Sequence, residues 1–178
     1  METTQDQGRN RRRLGMAIEV PAKKSEKVTE NILLHDPSLC TGCLQCMIGC
    51  AYSHFKTYDT SYALLYVNED PSKMGRWVNA NCSHCVFPMC LAACPREAIY
   101  KDDLGIVRIS PMRCIGCGIC AQACPIAIPR LDLDKKVYVK CDLCNGEPPN
   151  CVKMCTPKAI VYLPREEAFE YQKKIRGS

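Results

Sequence analysis

Aromatic residues and histidines are scarce in this sequence of 178 residues, which has one tryptophan, three phenylalanines, eight tyrosines and three histidines. Large aromatic side chains supply much of the buried area in most protein cores. The 47% apolar fraction looks ordinary only because sixteen of the residues that it counts are cysteines. Hydrophobic burial is therefore a thin source of stability, and we expect bound metal to help hold the fold together.

Long apolar runs are also absent. No stretch approaches the roughly 18 consecutive apolar residues that a transmembrane helix needs, and the first residues lack the basic and apolar segments of a secretory signal. Arg11–Arg13 resembles a twin-arginine signal, but Glu19 and Pro21 interrupt the apolar residues that follow. We therefore expect a cytoplasmic protein without a transmembrane segment, in which Arg11–Arg13 belongs to a solvated arm. Docking of an acidic partner or nucleic acid is the alternative interpretation of these arginines.

Catalytic motifs are missing as well. The sequence shows no glycine-rich nucleotide loop, no paired carboxylates and no nucleophile beside a base. We therefore predict no catalytic residues and no enzyme activity for the chain by itself. The formal net charge of +5 treats every cysteine as neutral. Cysteines bind metal as thiolates, so the positive balance does not indicate a nucleic-acid partner.

Cysteine is the residue that the chain has in abundance, and its spacing repeats. The sixteen cysteines form four quartets with none left over. In chain order the quartets are Cys40-Cys43-Cys46-Cys50, Cys82-Cys85-Cys90-Cys94, Cys114-Cys117-Cys120-Cys124 and Cys141-Cys144-Cys151-Cys155. The first and third have the spacing C-x2-C-x2-C-x3-C, whereas the second and fourth open with C-x2-C and close with C-x3-C. In a reducing cytosol such groups of cysteines bind metal rather than form disulfides.

The third quartet matches the bacterial ferredoxin motif, including the trailing Pro125. Three cysteines separated by two residues each let a tight loop wrap three corners of one 4Fe–4S cubane. Gly116 and Gly118 allow the backbone to approach the inorganic sulfides. The fourth cysteine follows on a short helix, and in two-cluster ferredoxins it ligates the other cluster. We therefore predict four 4Fe–4S clusters as the cofactors of this chain.

Structural zinc is the main alternative for the cysteines. Zinc sites commonly use two C-x2-C pairs separated by a longer loop, and the second and fourth quartets alone fit that description. The first and third do not, because three cysteines at two-residue intervals crowd a tetrahedral zinc site. A zinc-stabilised interaction module is thus a competing interpretation, as is an unusual group at one of the four sites.

The exchange of the fourth cysteine predicts how the quartets pair. Between the second and third quartets, residues 100–109 indicate a β-hairpin, the segment that separates the two motifs of a two-cluster ferredoxin. We therefore pair these two quartets with each other, and the first with the fourth. The predicted ligands are Cys40, Cys43, Cys46 and Cys155 for cluster 1; Cys141, Cys144, Cys151 and Cys50 for cluster 2; Cys82, Cys85, Cys90 and Cys124 for cluster 3; and Cys114, Cys117, Cys120 and Cys94 for cluster 4.

This pairing predicts an α+β, ferredoxin-like fold with two pseudo-symmetric lobes of short strands and helices, each binding two 4Fe–4S clusters. The predicted segments are a flexible N-terminal arm at 1–30, an inner lobe at 80–128, an outer lobe made of 31–79 and 129–163, and a C-terminal helix or tail at 164–178. Further strands are expected at 33–34, 63–67 and 76–79, and a second hairpin at 130–140.

Two single residues allow more than one interpretation. His84 lies between two cysteines of the second quartet, where it could ligate metal, tune a nearby cluster or lie at the surface. Because the quartet is complete without it, we favour a position beside the cluster or at the surface. Trp77 is expected to pack in the fold rather than to dock a partner.

With the quartets in place, residues 32–163 resemble the iron–sulfur electron-transfer subunits of molybdenum and tungsten enzymes. The resemblance rests on the second quartet with its following Pro95, on the third quartet, and on the segment Cys141-Asp-Leu-Cys144. The same layout serves dimethyl-sulfoxide-reductase-type enzymes, formate hydrogenlyase and hydrogenase modules linked to carbon monoxide.

The first quartet narrows the resemblance. Together with the following His54 and Phe55, and with the short loop at 145–150, it is similar to small subunits of the aldehyde ferredoxin oxidoreductase family. That family includes aldehyde oxidoreductases and class II benzoyl-coenzyme A reductases. Cys50 and Cys155 depart from the ferredoxin pattern, because no proline follows either of them directly. Proline shapes the backbone and donates nothing to iron, so this departure leaves ligation intact.

The resemblance implies an electron-transfer subunit of anaerobic metabolism, with four clusters in a row. Its partners would be a large tungsten or molybdenum pterin catalytic subunit and, at the other end, a soluble ferredoxin or a flavin subunit. An electron-transfer subunit of a hydrogenase or carbon monoxide dehydrogenase, and a free polyferredoxin, are the competing functions. The predicted arm and terminal helix favour a subunit, because a minimal carrier has little use for them.

Overall fold

The computed structural model describes residues 29–176. Most of the arm predicted at 1–30, including Arg11–Arg13, lies outside the described residues, as do positions 177–178. The described chain is α+β and is built from short strands and helices, as predicted. The strands are β1 (Asn31–His35), β2 (Tyr66–Glu69), β3 (Trp77–Ala80), β4 (Ile99–Lys101), β5 (Val107–Ile109), β6 (Arg130–Asp132), β7 (Val137–Val139) and β8 (Ile160–Pro164). The helices are α1 (Gln45–Phe55), α2 (Met89–Ala92), α3 (Ile119–Ala123), α4 (Asn150–Lys153) and α5 (Arg165–Arg176).

The strands pair in twos. Within residues 29–176 the four sheets are all two-stranded and antiparallel. β4 with β5 and β6 with β7 are the two predicted hairpins, which are thereby confirmed, and β2 with β3 is a third. β1 instead pairs with the distant β8, and Leu33 lies opposite Tyr162. This long-range pairing joins the beginning of the described chain to its last strand, with all the other strands between them in sequence.

One predicted strand begins later than expected. The sequence predicts a strand at 63–67, whereas β2 begins at Tyr66. The three preceding residues, Ala63, Leu64 and Leu65, are all buried, at 0%, 6% and 1% exposure. Successive side chains of a strand point to opposite faces, so three consecutive buried side chains need core on every side. The chain passes through the core here as an irregular segment, and pairing starts only where Tyr66 leaves it.

The helices pack in two pairs. α1 packs against α4 and α2 packs against α3, while the predicted C-terminal helix, α5, lies on β1 and β8. Arg165 at the start of α5 donates to the Thr29 hydroxyl at 2.9 Å and to the Thr29 carbonyl at 3.1 Å. Thr29, which the sequence places in the arm, is buried, so the two ends of the described chain are fastened together. In residues 29–176 no helix is long and apolar enough to cross a bilayer.

The buried side chains form two groups of unequal size. The larger group draws on β1, α1, β2, β8 and the irregular segment before β2, and it includes four cysteines: Cys46, Cys50, Cys141 and Cys151. The smaller group, between α2, α3 and the β4–β5 hairpin, has three fully buried members: Ile99, Val107 and Cys120. The part of the chain between residues 80 and 128 therefore has only a small buried apolar group of its own.

Candidate metal-cluster sites

All sixteen cysteines lie in the described residues, and all of them are free thiols. In every quartet the third cysteine is the second residue of a helix, and the fourth follows four residues later. Only α1 continues past the fourth cysteine, Cys50, whereas Cys94, Cys124 and Cys155 lie just beyond the ends of α2, α3 and α4. In the first three quartets the second cysteine is exposed: Cys43, Cys85 and Cys117. The quartets are thus four copies of one local structure.

The residue before each helix divides the four copies into two kinds. Leu44 and Gly118 precede α1 and α3 with positive φ angles of 58° and 81°. Pro88 and Pro149 precede α2 and α4 with extended backbone, at φ of −78° and −64°. Proline fixes φ near these values, so the sequence itself sets this difference. The first quartet therefore matches the third in backbone, and the second matches the fourth.

Two glycines let the loop of the third quartet approach the β6–β7 hairpin closely. Gly116 and Gly118 have φ of 70° and 81°, a conformation that is costly for residues with a Cβ. A Cβ at Gly116 would lie 2.6 Å from the Lys136 carbonyl oxygen, and one at Gly118 would lie 2.9 Å from the Tyr138 hydroxyl. The loop thus packs directly on the β6–β7 hairpin, a contact in addition to the approach to sulfide that the sequence predicts.

We expect Gly116→Ala to lower both thermal stability and iron content, because a Cβ there meets a backbone carbonyl that cannot rotate away. Gly75→Ala is a matched control, since Gly75 also has a positive φ, 76°, but nothing lies within 4 Å of its added Cβ. The control should cost about 1–2 kcal/mol from the backbone conformation alone. Thermal unfolding and iron analysis of both variants test this expectation, and equal losses in the two would contradict it.

Burial dominates the electrostatics of the inner thiols. It raises the pKa of Cys46 to about 12 and the pKa values of Cys90 and Cys120 to about 11. It also raises the pKa values of Cys141 and Cys151. Metal ligands must be deprotonated, so thiolates at these depths require the compensating charge of bound iron.

The thiols also affect one another. Burial is the largest cause of the raised pKa values, and the negative charge of neighbouring cysteines raises them further. These neighbours are Cys155, Cys40 and Cys43 for Cys46; Cys82 and Cys124 for Cys90; Cys114, Cys90 and Cys117 for Cys120; and Cys141, Cys50, Cys144 and Cys46 for Cys151. In these four cases cysteines of two quartets are neighbours, the first with the fourth and the second with the third, whereas Cys141 has Cys50 of the first quartet and Cys82 of the second as neighbours.

A small cavity with mostly apolar walls lies beside α3. Its lining includes Cys94 from the second quartet together with three cysteines of the third quartet, Cys114, Cys117 and Cys120. Gly118 and Tyr138 also line it. The structure therefore gathers four thiols around one space, although one of them is twenty residues away in sequence.

Backbone amides donate to several of the sulfur atoms. The N–H groups of Ala98 and Tyr138 lie 3.3 Å from Sγ of Cys94 and Cys114, respectively. Two further pairs are Leu64 with Cys50 at 3.3 Å and Ile160 with Cys155 at 3.4 Å. Hydrogen bonds to sulfur are among the features that set the potential of an iron–sulfur cluster. This backbone is therefore arranged to stabilise negative charge on its thiolates.

The missing proline after Cys50 has a structural consequence. α1 continues past Cys50 to Phe55, and this extra turn places His54 beside the fourth quartet. His54 Nδ1 donates to the Cys50 carbonyl at 3.0 Å, and Nε2 donates to Asp142 Oδ1 at 2.9 Å. The bond to Asp142 is the main reason that the pKa of His54 is raised, to about 11. Asp142 also accepts the Cys144 N–H at 3.0 Å, so this pair connects the first and fourth quartets.

His84 is fully inside the protein, at 1% exposure, so the surface interpretation of this residue is wrong. Its Nδ1 accepts the Val107 N–H at 3.1 Å, which leaves the hydrogen on Nε2. Nε2 is buried and has no hydrogen-bond partner among the described residues. Buried donors nearly always have an acceptor. A cluster beside His84 would supply a sulfur acceptor, so the donor fits the predicted group.

Sequence reasoning missed two residues of this region. Asp142 lies inside the fourth quartet, yet nothing in its neighbours predicts a contact with His54, 88 residues away. Lys140 is buried beside Cys141, and a lysine in a hairpin otherwise indicates a solvated side chain. The i, i+4 spacing of Cys50 and His54 is the one available signal, because it places both on the same side of α1. Trp77 packs on the larger core group, as predicted.

The repeated thiol sites and the short strands and helices define a ferredoxin-like iron–sulfur protein of electron transport, whose sixteen cysteines fit four 4Fe–4S clusters. The chain belongs to the family of the 4Fe-4S dicluster domain, which matches residues 74–164.

The chain is similar to curated proteins and to solved structures. It is 31% identical over 159 residues to the uncharacterized ferredoxin-like protein YdhX of Escherichia coli K12, covering 84% of this chain and 71% of YdhX. It is 30% identical over 142 residues to the thiosulfate reductase electron transfer subunit PhsB of Salmonella typhi, covering 74% of each. A chain of the active site complex BamBC of benzoyl coenzyme A reductase with benzoyl-CoA matches 82% of this chain and 90% of its own length, at 22% identity. Its TM-score of 0.43 is too low to bear on function.

Proposed function

We propose that this chain is the electron-transfer subunit of a cytoplasmic tungsten or molybdenum oxidoreductase. In this role it relays electrons between a large pterin-containing catalytic subunit and an external carrier, such as a soluble ferredoxin or a flavin subunit. One observation carries the proposal. Cysteines of different quartets are electrostatic neighbours, and these neighbours connect all four quartets. The name of PhsB, an electron transfer subunit of thiosulfate reductase, supports the role of a subunit. The tungsten or molybdenum partner rests on the resemblance of the first quartet.

We propose the nested ligand sets predicted from the sequence, in which each cluster takes three cysteines from one quartet and the fourth from its partner quartet. The charged neighbours of Cys46 and Cys90 support this exchange, because Cys155 and Cys124 respectively come from the partner quartets. The cavity beside α3 supports it for cluster 4, since Cys94 joins the third quartet there.

The same pairing gives the lobes. The inner lobe at 80–128 holds clusters 3 and 4, and the outer lobe at 31–79 and 129–163 holds clusters 1 and 2. The pairing of α2 with α3 and of α1 with α4 supports this division. The repeat of the two kinds of backbone before the helices supports pseudo-symmetry, because each lobe combines one quartet of each kind.

The clusters follow one another in the order 1, 2, 3, 4. Electrostatic interactions between the thiols of neighbouring sets support this order. Cys46 of cluster 1 raises the pKa of Cys151 of cluster 2, and Cys82 of cluster 3 raises the pKa of Cys141 of cluster 2. Cys90 of cluster 3 likewise raises the pKa of Cys120 of cluster 4. Clusters 1 and 4 are thus the ends of the row and clusters 2 and 3 its centre.

When bound, each 4Fe–4S cluster supplies a site that accepts and returns an electron at a potential set by its surroundings. The protein contributes the thiolates, the amide donors to sulfur and the exclusion of water. Cys43 and Cys117, in the end clusters, are exposed. Cys85 of cluster 3 is exposed as well, so electrons could enter or leave at clusters 1, 3 and 4, whereas cluster 2, with Cys50, Cys141 and Cys151 all buried, lies inside.

The test of the proposed function is the metal content of the complex that copurifies with the tagged chain from its native cell under anaerobic conditions. Tungsten or molybdenum in stoichiometric amount is the expected result. Nickel in their place would move the chain to a hydrogenase or carbon monoxide dehydrogenase, and iron alone in a monomeric preparation would make it a free polyferredoxin. Either of these results contradicts the proposal.

A further inference from the structure

Lys140 is a buried cation with an uncommon environment. It follows β7 directly, its side chain is 6% exposed, and its ammonium donates to the carbonyls of Val107 and of Cys141, the latter at 3.0 Å. Among residues 29–176 no carboxylate forms an ion pair with it. A buried charge is costly unless it is paired. Two carbonyl dipoles leave the full positive charge uncompensated, which indicates a negative group that comes with the loaded protein.

The position of Lys140 shows which groups would supply this negative charge. Burial raises the pKa values of the Cys90 and Cys141 thiols, and the charge of Lys140 acts against burial at both. Cys90 belongs to proposed cluster 3 and Cys141 to proposed cluster 2. The ammonium therefore lies between the two lobes, close to the boundary between the central clusters.

His84 meets Lys140 through a shared residue. The Val107 N–H donates to His84 Nδ1, and the Val107 carbonyl accepts from Lys140. The backbone N–H and the backbone carbonyl of Val107, in β5, thus each hold one of these two side chains. The consequence is a fixed ammonium and a fixed Nε2–H donor at one place in the interior, the second with no acceptor in the described chain.

We propose that Lys140 and His84 are positioning residues that raise the reduction potentials of the central clusters of the row. A reduced cluster carries one more negative charge than an oxidised one, so a nearby cation and a hydrogen bond to sulfur both favour reduction. The inference rests on the proposed cluster row, and it adds the residues that set the potential at its centre. An electron arriving from either end would then meet a favourable site where the two lobes join.

The test is a redox titration of the whole chain, loaded anaerobically with four clusters and followed by electron paramagnetic resonance. Lys140→Met keeps the length of the side chain and removes its charge. We expect it to lower the reduction equilibrium of at least one central cluster about tenfold, which for a one-electron couple is about 59 mV. Lys73→Met is the matched control, because Lys73 is exposed in the turn between β2 and β3. This control should change the reduction equilibrium constant of each of the four clusters by less than about twofold.

A second variant separates potential from folding. His84→Asn keeps an acceptor for the Val107 N–H at the place of Nδ1 and removes the Nε2–H donor. Asparagine also tolerates the positive φ of His84, 44°, so we expect normal cluster loading. The expected result is again a lower potential for a central cluster, with iron content unchanged. Lys140→Arg, which keeps the charge, should restore most of the potential that Lys140→Met loses.

Two results would overturn the proposal. The first is wild-type potentials in both Lys140→Met and His84→Asn with all clusters present. The second is a failure of both variants and of Lys140→Arg to load clusters, which would make the two residues structural. The titration requires no partner, so a wrong assignment of the partner enzyme would leave its result intact. A wild-type chain that loads fewer than four clusters would instead contradict the proposed row itself.

Discussion

Replacing Cys141 with alanine is expected to reduce electron transfer along the row to background, although the end clusters stay assembled. Cys141 is buried at 7% exposure, and we propose it as a ligand of cluster 2. Losing one thiolate ligand releases or degrades that cluster and opens a gap in the middle of the row. The measurement is the rate at which the complex passes electrons from its substrate to an external acceptor, with the partner's metal content determined on the same sample.

The comparison for this variant is Cys117→Ser. Cys117 is exposed, and we propose it as a ligand of cluster 4, at one end of the row. We expect it to remove the spectroscopic signal of a single cluster while clusters 1 to 3 are still reduced through each other. Both variants should leave the catalytic cofactor of the partner in place. If Cys141→Ala still passed electrons to the external acceptor at the wild-type rate, that result would contradict a single row of clusters.

Removal of iron is expected to unfold the proposed inner lobe before the proposed outer one. The buried group there has only three members, Ile99, Val107 and Cys120, and one of these is itself a predicted ligand. In small metal-binding domains the free energy of metal binding is free energy of folding. The outer lobe retains more apolar contacts, among them those of Leu33, Leu65 and other members of the larger group. We therefore expect unequal losses of structure.

Amide hydrogen exchange measures this difference directly. In the reduced chain without iron, the amides of β4 and β5 should exchange within about tenfold of the rate of an unfolded peptide. The amides of β1 and β8 should keep more protection. Reconstitution with iron and sulfide should restore protection in both lobes. Equal, native-like protection in both lobes of the iron-free chain would show that the clusters do not hold the fold together.

The sequence predicts the elements of this protein well where one local rule dominates. The hairpins at 100–109 and 130–140 and the helix at the C-terminus follow from strand, turn and charge patterns, and the structure has all three. The strand predicted at 63–67 begins only at Tyr66, because burial in the core overrides the pattern in the three residues before it. Alternation could not reveal that Ala63, Leu64 and Leu65 are all inside.

The candidate site shows a similar division. The sixteen cysteines and their grouping into quartets are read directly from spacing. The contacts that tune the sites are not, because His54 with Asp142 and Lys140 with Val107 join residues far apart in sequence. The absence of a proline after Cys50 was visible in the sequence, but its effect, an additional helical turn that carries His54 to Asp142, emerges only from the fold.

Iron quantification on the anaerobically purified chain tests the central claim most directly. Four 4Fe–4S clusters predict about sixteen iron atoms and a matching amount of acid-labile sulfide per chain, with zinc near zero. A preparation in which zinc fills the sites, or in which reconstituted protein takes up only about half of that iron, would contradict the account of four clusters in a row.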